Sequence, residues 1–94
     1  MSSEKDKNEV ERREQKLREI TDKRDELSQI IESWDRTIDE AKVAYLGATD
    51  KVKTKIMKEV MDLEAERKND LSRLEKVEKK LAEAAVEFLN FFSV

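Results

Sequence analysis

The stretch "YLGATDK", residues 45–51, decides the fold because it lies between two apolar stripes that are in different helical registers. It contains the only glycine of the chain, Gly47. Glycine readily adopts the left-handed conformation that ends a helix, and Thr49 or Asp50 is a suitable N-cap for a second helix. The alternative is one unbroken helix with Gly47 in its interior, at a cost of about 1 kcal/mol relative to alanine. The stretch by itself leaves both arrangements open.

The residues before this stretch form a heptad stripe, in which apolar side chains recur with steps of three and four. Arg13 and Arg24 interrupt the stripe. This spacing predicts a first helical arm over about residues 5–46. The members of the stripe are Val10, Leu17, Ile20, Leu27, Ile31, Trp34, Ile38, Ala41, Tyr45 and Ala48.

The residues after the stretch form a second stripe, one residue out of step with the first. It uses the positions three and four after each core residue, so it is wider than the seam of a two-stranded coiled coil. The pattern predicts a second arm over about residues 50–92 that has more than one neighbouring helix. The members are Ile56, Met57, Val60, Leu63, Leu71, Leu74, Val77, Leu81, Ala84, Ala85, Phe88, Phe91 and Phe92.

The composition favours helices throughout the chain. Of the 94 residues, 46% are charged and 37% are apolar, which is too few apolar residues for a rounded core. Proline is absent, so little in the chain opposes a helix. We therefore expect one all-α domain over residues 1–94, with residues 1–4 and 93–94 frayed.

Matching between the two stripes favours a long antiparallel helical hairpin (a coiled coil) with its turn at residues 47–50. In that hairpin Trp34 lies level with Leu63, and the apolar residues of the two arms match along their length. Arg24 is then expected near Asp70, as a polar pair that fixes the register within the seam. The alternative fold is a single continuous helix in a coiled-coil dimer.

The chain ends in "LAEAAVEFLNFFSV", residues 81–94, which contains all three phenylalanines. In the hairpin this end lies beside residues 1–16, where Met1 and Val10 are the only large apolar side chains. We expect a second copy to cover it, giving a homo-oligomer in which two hairpins form a four-helix bundle. A heterologous protein or a membrane surface are the alternatives. The predicted interface consists of Leu81, Ala85, Phe88, Leu89, Phe91 and Phe92.

Most of the side chains used in catalysis are missing from the sequence. Without His or Cys there is neither the commonest general base nor a thiolate, and no nitrogen or sulfur side-chain ligand for a metal. We therefore expect no catalytic residue, no cofactor and no metal site, and a non-enzymatic structural or interaction role. The net charge of −3 speaks against nucleic-acid binding, and the absence of a signal-like N-terminus or an apolar span predicts a cytoplasmic protein.

The run "KVKTKIMK", residues 51–58, is the one local basic segment. Helical spacing places Lys51, Lys55 and Lys58 on one side, which makes them a candidate patch for an anionic partner, although a solvated face is the commoner arrangement. Met57 and Met61 indicate either an adaptable binding surface or gap-filling side chains in a core.

The segment from residue 34 to residue 92 resembles a group of small prokaryotic coiled-coil proteins of unassigned role. The resemblance is carried by a Trp-x3-Ile start, an Ala-rich step, long Glu- and Lys-rich heptads and a Phe-containing end. The segment of this chain lacks the short Gly-containing element that often precedes the terminal helix in that group. The resemblance implies a stand-alone helical protein and assigns no functional residue. Its positions here are Trp34, Ile38, Ala41, Leu63, Leu74 and Phe88.

Overall fold

Two long helices make up the chain in the computed structural model, which describes residues 3–92 and the side chains of residues 6–92. Helix α1 spans Ser3–Leu46 and α2 spans Asp50–Phe92. The predicted all-α helical hairpin is confirmed, and the single continuous helix is wrong because the chain leaves the helical path between Leu46 and Asp50. Residues 1, 2, 93 and 94, which we expect to be frayed, lie outside the described residues.

The turn between the helices comprises residues 47–49. The Ala48 amide donates a hydrogen bond to the Tyr45 carbonyl oxygen at 3.3 Å. The Thr49 carbonyl oxygen accepts the first hydrogen bond of α2, from the Lys53 amide at 2.8 Å, so Thr49 is the N-cap residue. The predicted left-handed conformation of Gly47 is wrong, since its φ is not positive. The three turn residues and the hydrogen bond from Ala48 to Tyr45 reverse the chain without a left-handed residue.

The hairpin contains two compact units. The turn unit is Leu27–Leu74, and the terminal unit comprises Met1–Glu26 and Glu75–Val94, as far as these are described. In both units, buried and half-buried positions follow each other with steps of three and four along each helix, as a coiled-coil seam requires. Arg13 and Arg24 are half-buried positions of this seam, so the heptad spacing continues through both.

The turn unit has its core along one strip of each helix. Leu27, Ile31 and Ile38 are buried on α1, and Asp70 is buried on α2. The Trp34 indole Nε1 donates a hydrogen bond of 2.7 Å to Asp70 Oδ2. Further contacts between the helices of this unit include a hydrogen bond of 2.5 Å from Arg67 Nε to Asp35 Oδ1 and an approach of Lys42 to within 3.9 Å of Glu64.

The register of the turn unit differs from the predicted one. Trp34 is level with Asp70 instead of Leu63, a displacement of about one heptad along α2. A shift by one heptad superimposes a seam on itself, so apolar spacing cannot distinguish the two registers. The polar groups can, because a half-buried indole N–H needs an acceptor and Leu63 offers no side-chain acceptor.

Among its described side chains, residues 6–26 and 75–92, the terminal unit buries fewer than the turn unit does. Val77 and Ala84 of α2 are buried, whereas the seam positions of α1 in this unit, which include Leu17 and Ile20, are half-buried. A cation–π contact and an ion pair join its helices. The Arg13 guanidinium lies over the Phe91 ring, 4.9 Å from its centre, and Lys16 lies 3.9 Å from Glu87.

Candidate interaction surfaces

The six residues predicted to form a self-association interface fall on two different faces of α2. Leu81, Phe88 and Phe91 are half-buried and belong to the strip that follows the seam of the terminal unit. Leu89 and Phe92 are exposed, and Ala85 is half-buried beside them. The wide stripe therefore consists of an inward strip and an outward strip, and the hairpin itself uses the inward one.

The outward strip has the spacing of a second coiled-coil seam. Ala82, Ala85, Leu89 and Phe92 follow one another with steps of three, four and three, and Val86 lies beside them. We call these five residues the C-terminal apolar face. Val86, Leu89 and Phe92 are 55%, 64% and 56% exposed. Neighbouring large apolar side chains that remain this exposed mark a surface suited to contact with another molecule.

Phe92 of this face contacts the other two phenylalanines of the chain. Phe92 meets Phe88 and Phe91 edge to face, with ring centres 5.0 and 5.3 Å apart. Such pairs stabilise by about 0.5–1.5 kcal/mol beyond the area they bury. These contacts fix the direction in which the exposed part of the Phe92 ring points.

Arg13 covers part of the Phe-rich end, which the sequence analysis expected another molecule to cover. Its guanidinium lies over the Phe91 ring, and its Nε donates a hydrogen bond of 2.9 Å to Glu9 Oε1. The stripe pattern identified Arg13 only as an interruption. The sequence does contain a signal for this role, namely a cation at a seam position near the level of an aromatic residue on the other arm. This signal can be recognised only when the register of the two arms is known.

Glu9 holds two arginines at this end of the hairpin. Arg12 donates a hydrogen bond to Glu9 Oε2, and this bond, together with the charges of Arg12 and Arg13, lowers the pKa of the Glu9 carboxyl below its ordinary value. Glu9 is therefore ionised at neutral pH. An ionised Glu9 keeps the Arg13 guanidinium in place over the ring.

The predicted polar pair of Arg24 and Asp70 is wrong, because each residue has other partners. Arg24 donates two hydrogen bonds to its neighbour Asp25, at 3.1 and 3.3 Å. Asp70 accepts one from Trp34 and another from Arg73, at 3.3 Å. Asp70 does interrupt the apolar seam of α2, and its donor on α1 is the indole of Trp34. The apolar pattern treated Trp34 as a hydrophobic residue.

A second apolar surface lies at the turn end of the turn unit. It is a groove of 520 Å³, which we call the turn-end groove. Lys42 and Glu64 are among its lining residues, and Met57 and Met61 are 54% and 67% exposed. The two methionines are therefore surface residues and do not fill gaps in a core. The apolar lining consists of Tyr45, Leu46, Ile56, Met57, Val60 and Met61.

The predicted anionic-partner patch lies in the first turns of α2. Lys51, Lys55 and Lys58 are all exposed. The fourth lysine of the run, Lys53, is half-buried, and its ammonium lies 5.1 Å from the centre of the Tyr45 ring. Lys53 thus stabilises the turn through a cation–π contact, while the other three lysines are exposed beside the equally exposed Asp50, Glu59 and Asp62.

Within residues 3–92 no helix is long and apolar enough to cross a membrane. In the same part of the chain no three carboxylates form a group that could hold a metal ion.

Comparison with protein-family models, with curated proteins and with solved structures finds no match for this chain. The resemblance to small prokaryotic coiled-coil proteins therefore stays a prediction.

Proposed function

We propose that this protein is a non-enzymatic interaction protein that associates with itself through the C-terminal apolar face. The observation that carries the proposal is the second heptad strip on α2. Its members have the spacing of a coiled-coil seam, and its three largest side chains are more than half exposed. A helix with one strip facing its own hairpin and another facing outward has the pattern of a helix in a four-helix bundle.

The size of the face sets the strength of association that it can support. Fully covering a Val, Leu or Phe side chain stabilises by about 1.5–3 kcal/mol. Val86, Leu89 and Phe92 are already partly covered, so each contributes the lower part of that range. Association costs about 4–15 kcal/mol in lost freedom of motion. The C-terminal apolar face alone therefore supports a weak pair, and a tight pair needs further apolar area.

Membrane binding is the less well supported alternative. An apolar helix face can lie in the headgroup layer of a membrane, but such helices usually carry basic residues beside the apolar ones. Here Glu83 and Glu87 flank the face, and no Lys or Arg follows Lys80. Sedimentation with anionic vesicles at low salt tests this alternative, and co-pelleting of the protein would support it.

The proposal is tested by the solution mass of the Leu89→Glu variant. A single chain has a mass of 11.1 kDa. We expect light scattering to give a multiple of this mass for the natural chain and the single-chain mass for Leu89→Glu, because a carboxylate in an apolar interface must lose its hydration. Asn90→Glu adds the same charge at the next position, outside the face, and serves as the control. Equal masses for the natural chain and Leu89→Glu would refute self-association through this face.

A further inference from the structure

The C-terminal apolar face has a half of small side chains and a half of large ones. The first two positions of its seam are Ala82 and Ala85, and the last two are Leu89 and Phe92. Closely packed contacts leave few voids, so a matching surface has large side chains where this face has small ones. The partner of the face must therefore be large opposite the two alanines and small opposite Leu89 and Phe92.

The face itself meets this requirement when it is turned around. Its steps of three, four and three residues read the same in both directions along α2. A second copy of the face, laid on the first with its helix running the opposite way, places Phe92 opposite Ala82 and Leu89 opposite Ala85. The two-fold symmetry of such a contact repeats each pairing, so every large side chain of the seam meets a small one.

A parallel arrangement of the two helices lacks this match. It sets Phe92 against Phe92 at one end and Ala82 against Ala82 at the other. The large side chains then hold the helices apart where the alanines leave a gap, and overpacking and voids both destabilise a contact.

The area that the contact covers favours the face as its own receiver. Among the described side chains of the terminal unit, residues 6–26 and 75–92, the large apolar ones that are exposed are Val86, Leu89 and Phe92. A contact between two copies of the face covers these three in both chains, six in all. A polar surface of the second copy would cover only three. Phe92 is also held by its ring contacts with Phe88 and Phe91, so it loses little freedom on binding.

The charges beside the face also favour the antiparallel arrangement. The charged side chains within residues 81–92 are Glu83 and Glu87, and neither is a member of the face. A parallel pair brings the two copies of Glu83 level with each other, whereas the antiparallel pair separates them by eight residues, about 12 Å along the axis. Glu87 is level with its copy in both arrangements, and it lies 3.9 Å from Lys16 of its own chain.

We propose that the C-terminal apolar faces of two copies bind each other with their α2 helices antiparallel. Phe92 of each copy then packs on Ala82 of the other, and Leu89 packs on Ala85. The inference rests on the proposed self-association, and it names the surface that receives the face and the direction of the partner helix.

A disulfide experiment tests which positions meet. The chain contains no cysteine, so an introduced pair is unambiguous. Ala85→Cys chains labelled with ¹⁵N are mixed with unlabelled Leu89→Cys chains and oxidised, and mass spectrometry identifies the linked species. We expect the mixed disulfide to predominate, at about twice the 11.1 kDa of one chain. Glu83→Cys replaces Ala85→Cys in the control, where we expect little mixed product.

A distance measurement gives the direction of the helices without changing the face. Glu78→Cys carries a spin label at an exposed position before the face. Position 78 lies nine residues from the centre of the antiparallel contact, so the two labelled backbones are about 27 Å apart along the axis. In a parallel pair they are separated by about 10 Å, the distance between packed helices. Pulsed electron paramagnetic resonance, at concentrations where light scattering shows pairs, distinguishes the two values.

The failure of this inference can be told apart from the failure of the proposed function. A predominance of disulfides between two Leu89→Cys chains, with the short distance at position 78, would overturn the antiparallel arrangement and leave self-association standing. Pairs in solution that give no disulfide between positions 85 and 89 would show that another surface receives the face. If the natural chain has the single-chain mass at every concentration, both proposals fall together.

Discussion

The two units of this hairpin are stabilised in different ways. The turn unit joins its helices by a hydrogen bond between Trp34 and Asp70 and buries three large aliphatic side chains. Among its described residues the terminal unit buries Val77 and Ala84, and it adds an arginine over a phenylalanine ring. Directional polar contacts in the turn unit specify one register, whereas the terminal unit leaves Val86, Leu89 and Phe92 more than half exposed. The same heptad spacing thus supports structural specificity in one unit and an exposed apolar face in the other.

The largest expected effect is the loss of a buried aliphatic side chain from the turn unit. Ile38 is 5% exposed. Ile38→Ala removes its packing and leaves a cavity, so we expect the free energy of unfolding to fall by about 2–4 kcal/mol. Urea denaturation followed by circular dichroism measures the change. Ile30→Ala on the same helix is the control, since Ile30 is 38% exposed and its truncation should cost less than half as much.

The next effect concerns the hydrogen bond that fixes the register. Asp70→Ala leaves the Trp34 indole N–H without its acceptor, and we expect a loss of about 1–3 kcal/mol. Asp70→Asn keeps an acceptor oxygen and should recover part of that loss. Denaturation curves of the two variants measure the difference. If Asp70→Ala is as stable as the natural chain, the hydrogen bond does not specify the register, and the contrast between the units loses its basis.

In the terminal unit, Arg13→Ala should have a smaller effect. The guanidinium is half-buried and in contact with solvent, so its cation–π contact with Phe91 contributes about 0.5–1 kcal/mol. Arg18→Ala, an exposed arginine on the same helix, is the control and should be nearly neutral. A loss from Arg13→Ala as large as that from Asp70→Ala would mean that the two units are fixed equally firmly.

The contact of Arg13 with the ring should also depend on pH through Glu9. Because the pKa of Glu9 is lowered in the folded chain, its contribution to stability is present at neutral pH. That contribution is lost as the pH falls below the pKa of an unfolded glutamate, about 4.3, and through the lower value of the folded state. An NMR titration of the Glu9 carboxyl carbon checks the direction, and Arg12→Ala should move its midpoint upward.

The smallest effect is a stabilising one, in the turn. Gly47 has a φ that other residues adopt, and a Cβ added to it would meet no atom within 4 Å. Gly47→Ala reduces the freedom of the unfolded chain without strain, so we expect a gain of about 0.4–1 kcal/mol. Thermal denaturation measures it, and a lower melting temperature would show that the turn needs glycine.

Composition and spacing predicted most of the fold. The lack of proline, the heptad steps and the stretch around Gly47 together indicated two helices and a turn, and all three are present. The predicted register differs from the observed one by one heptad, because apolar spacing repeats every seven residues and is unchanged by such a shift. The hydrogen bond between Trp34 and Asp70 decides the register. The apolar pattern does not reveal this bond, because it counts the indole as an apolar side chain.

The candidate site was predicted in part. The Phe-rich end was identified from its composition, but the division into an inward and an outward strip depends on which residues face α1. For that reason the predicted interface omits Val86, which is exposed beside Leu89, and includes Phe88 and Phe91, which the hairpin half-buries. The turn-end groove depends on how residues 42–46 lie beside residues 56–64, which no local pattern encodes.

Because Trp34 belongs to the turn unit, tryptophan fluorescence can report on that unit separately from the rest of the hairpin. The chain has one tryptophan and one tyrosine, and both Trp34 and Tyr45 belong to the turn unit, whereas all three phenylalanines belong to the terminal unit. Tryptophan fluorescence therefore follows the unfolding of the turn unit, while far-ultraviolet circular dichroism follows both helices along their whole length. Coincident transitions would mean that the hairpin melts as one cooperative body, and a dichroism signal that falls first would mean that the terminal unit opens while the indole keeps its partner.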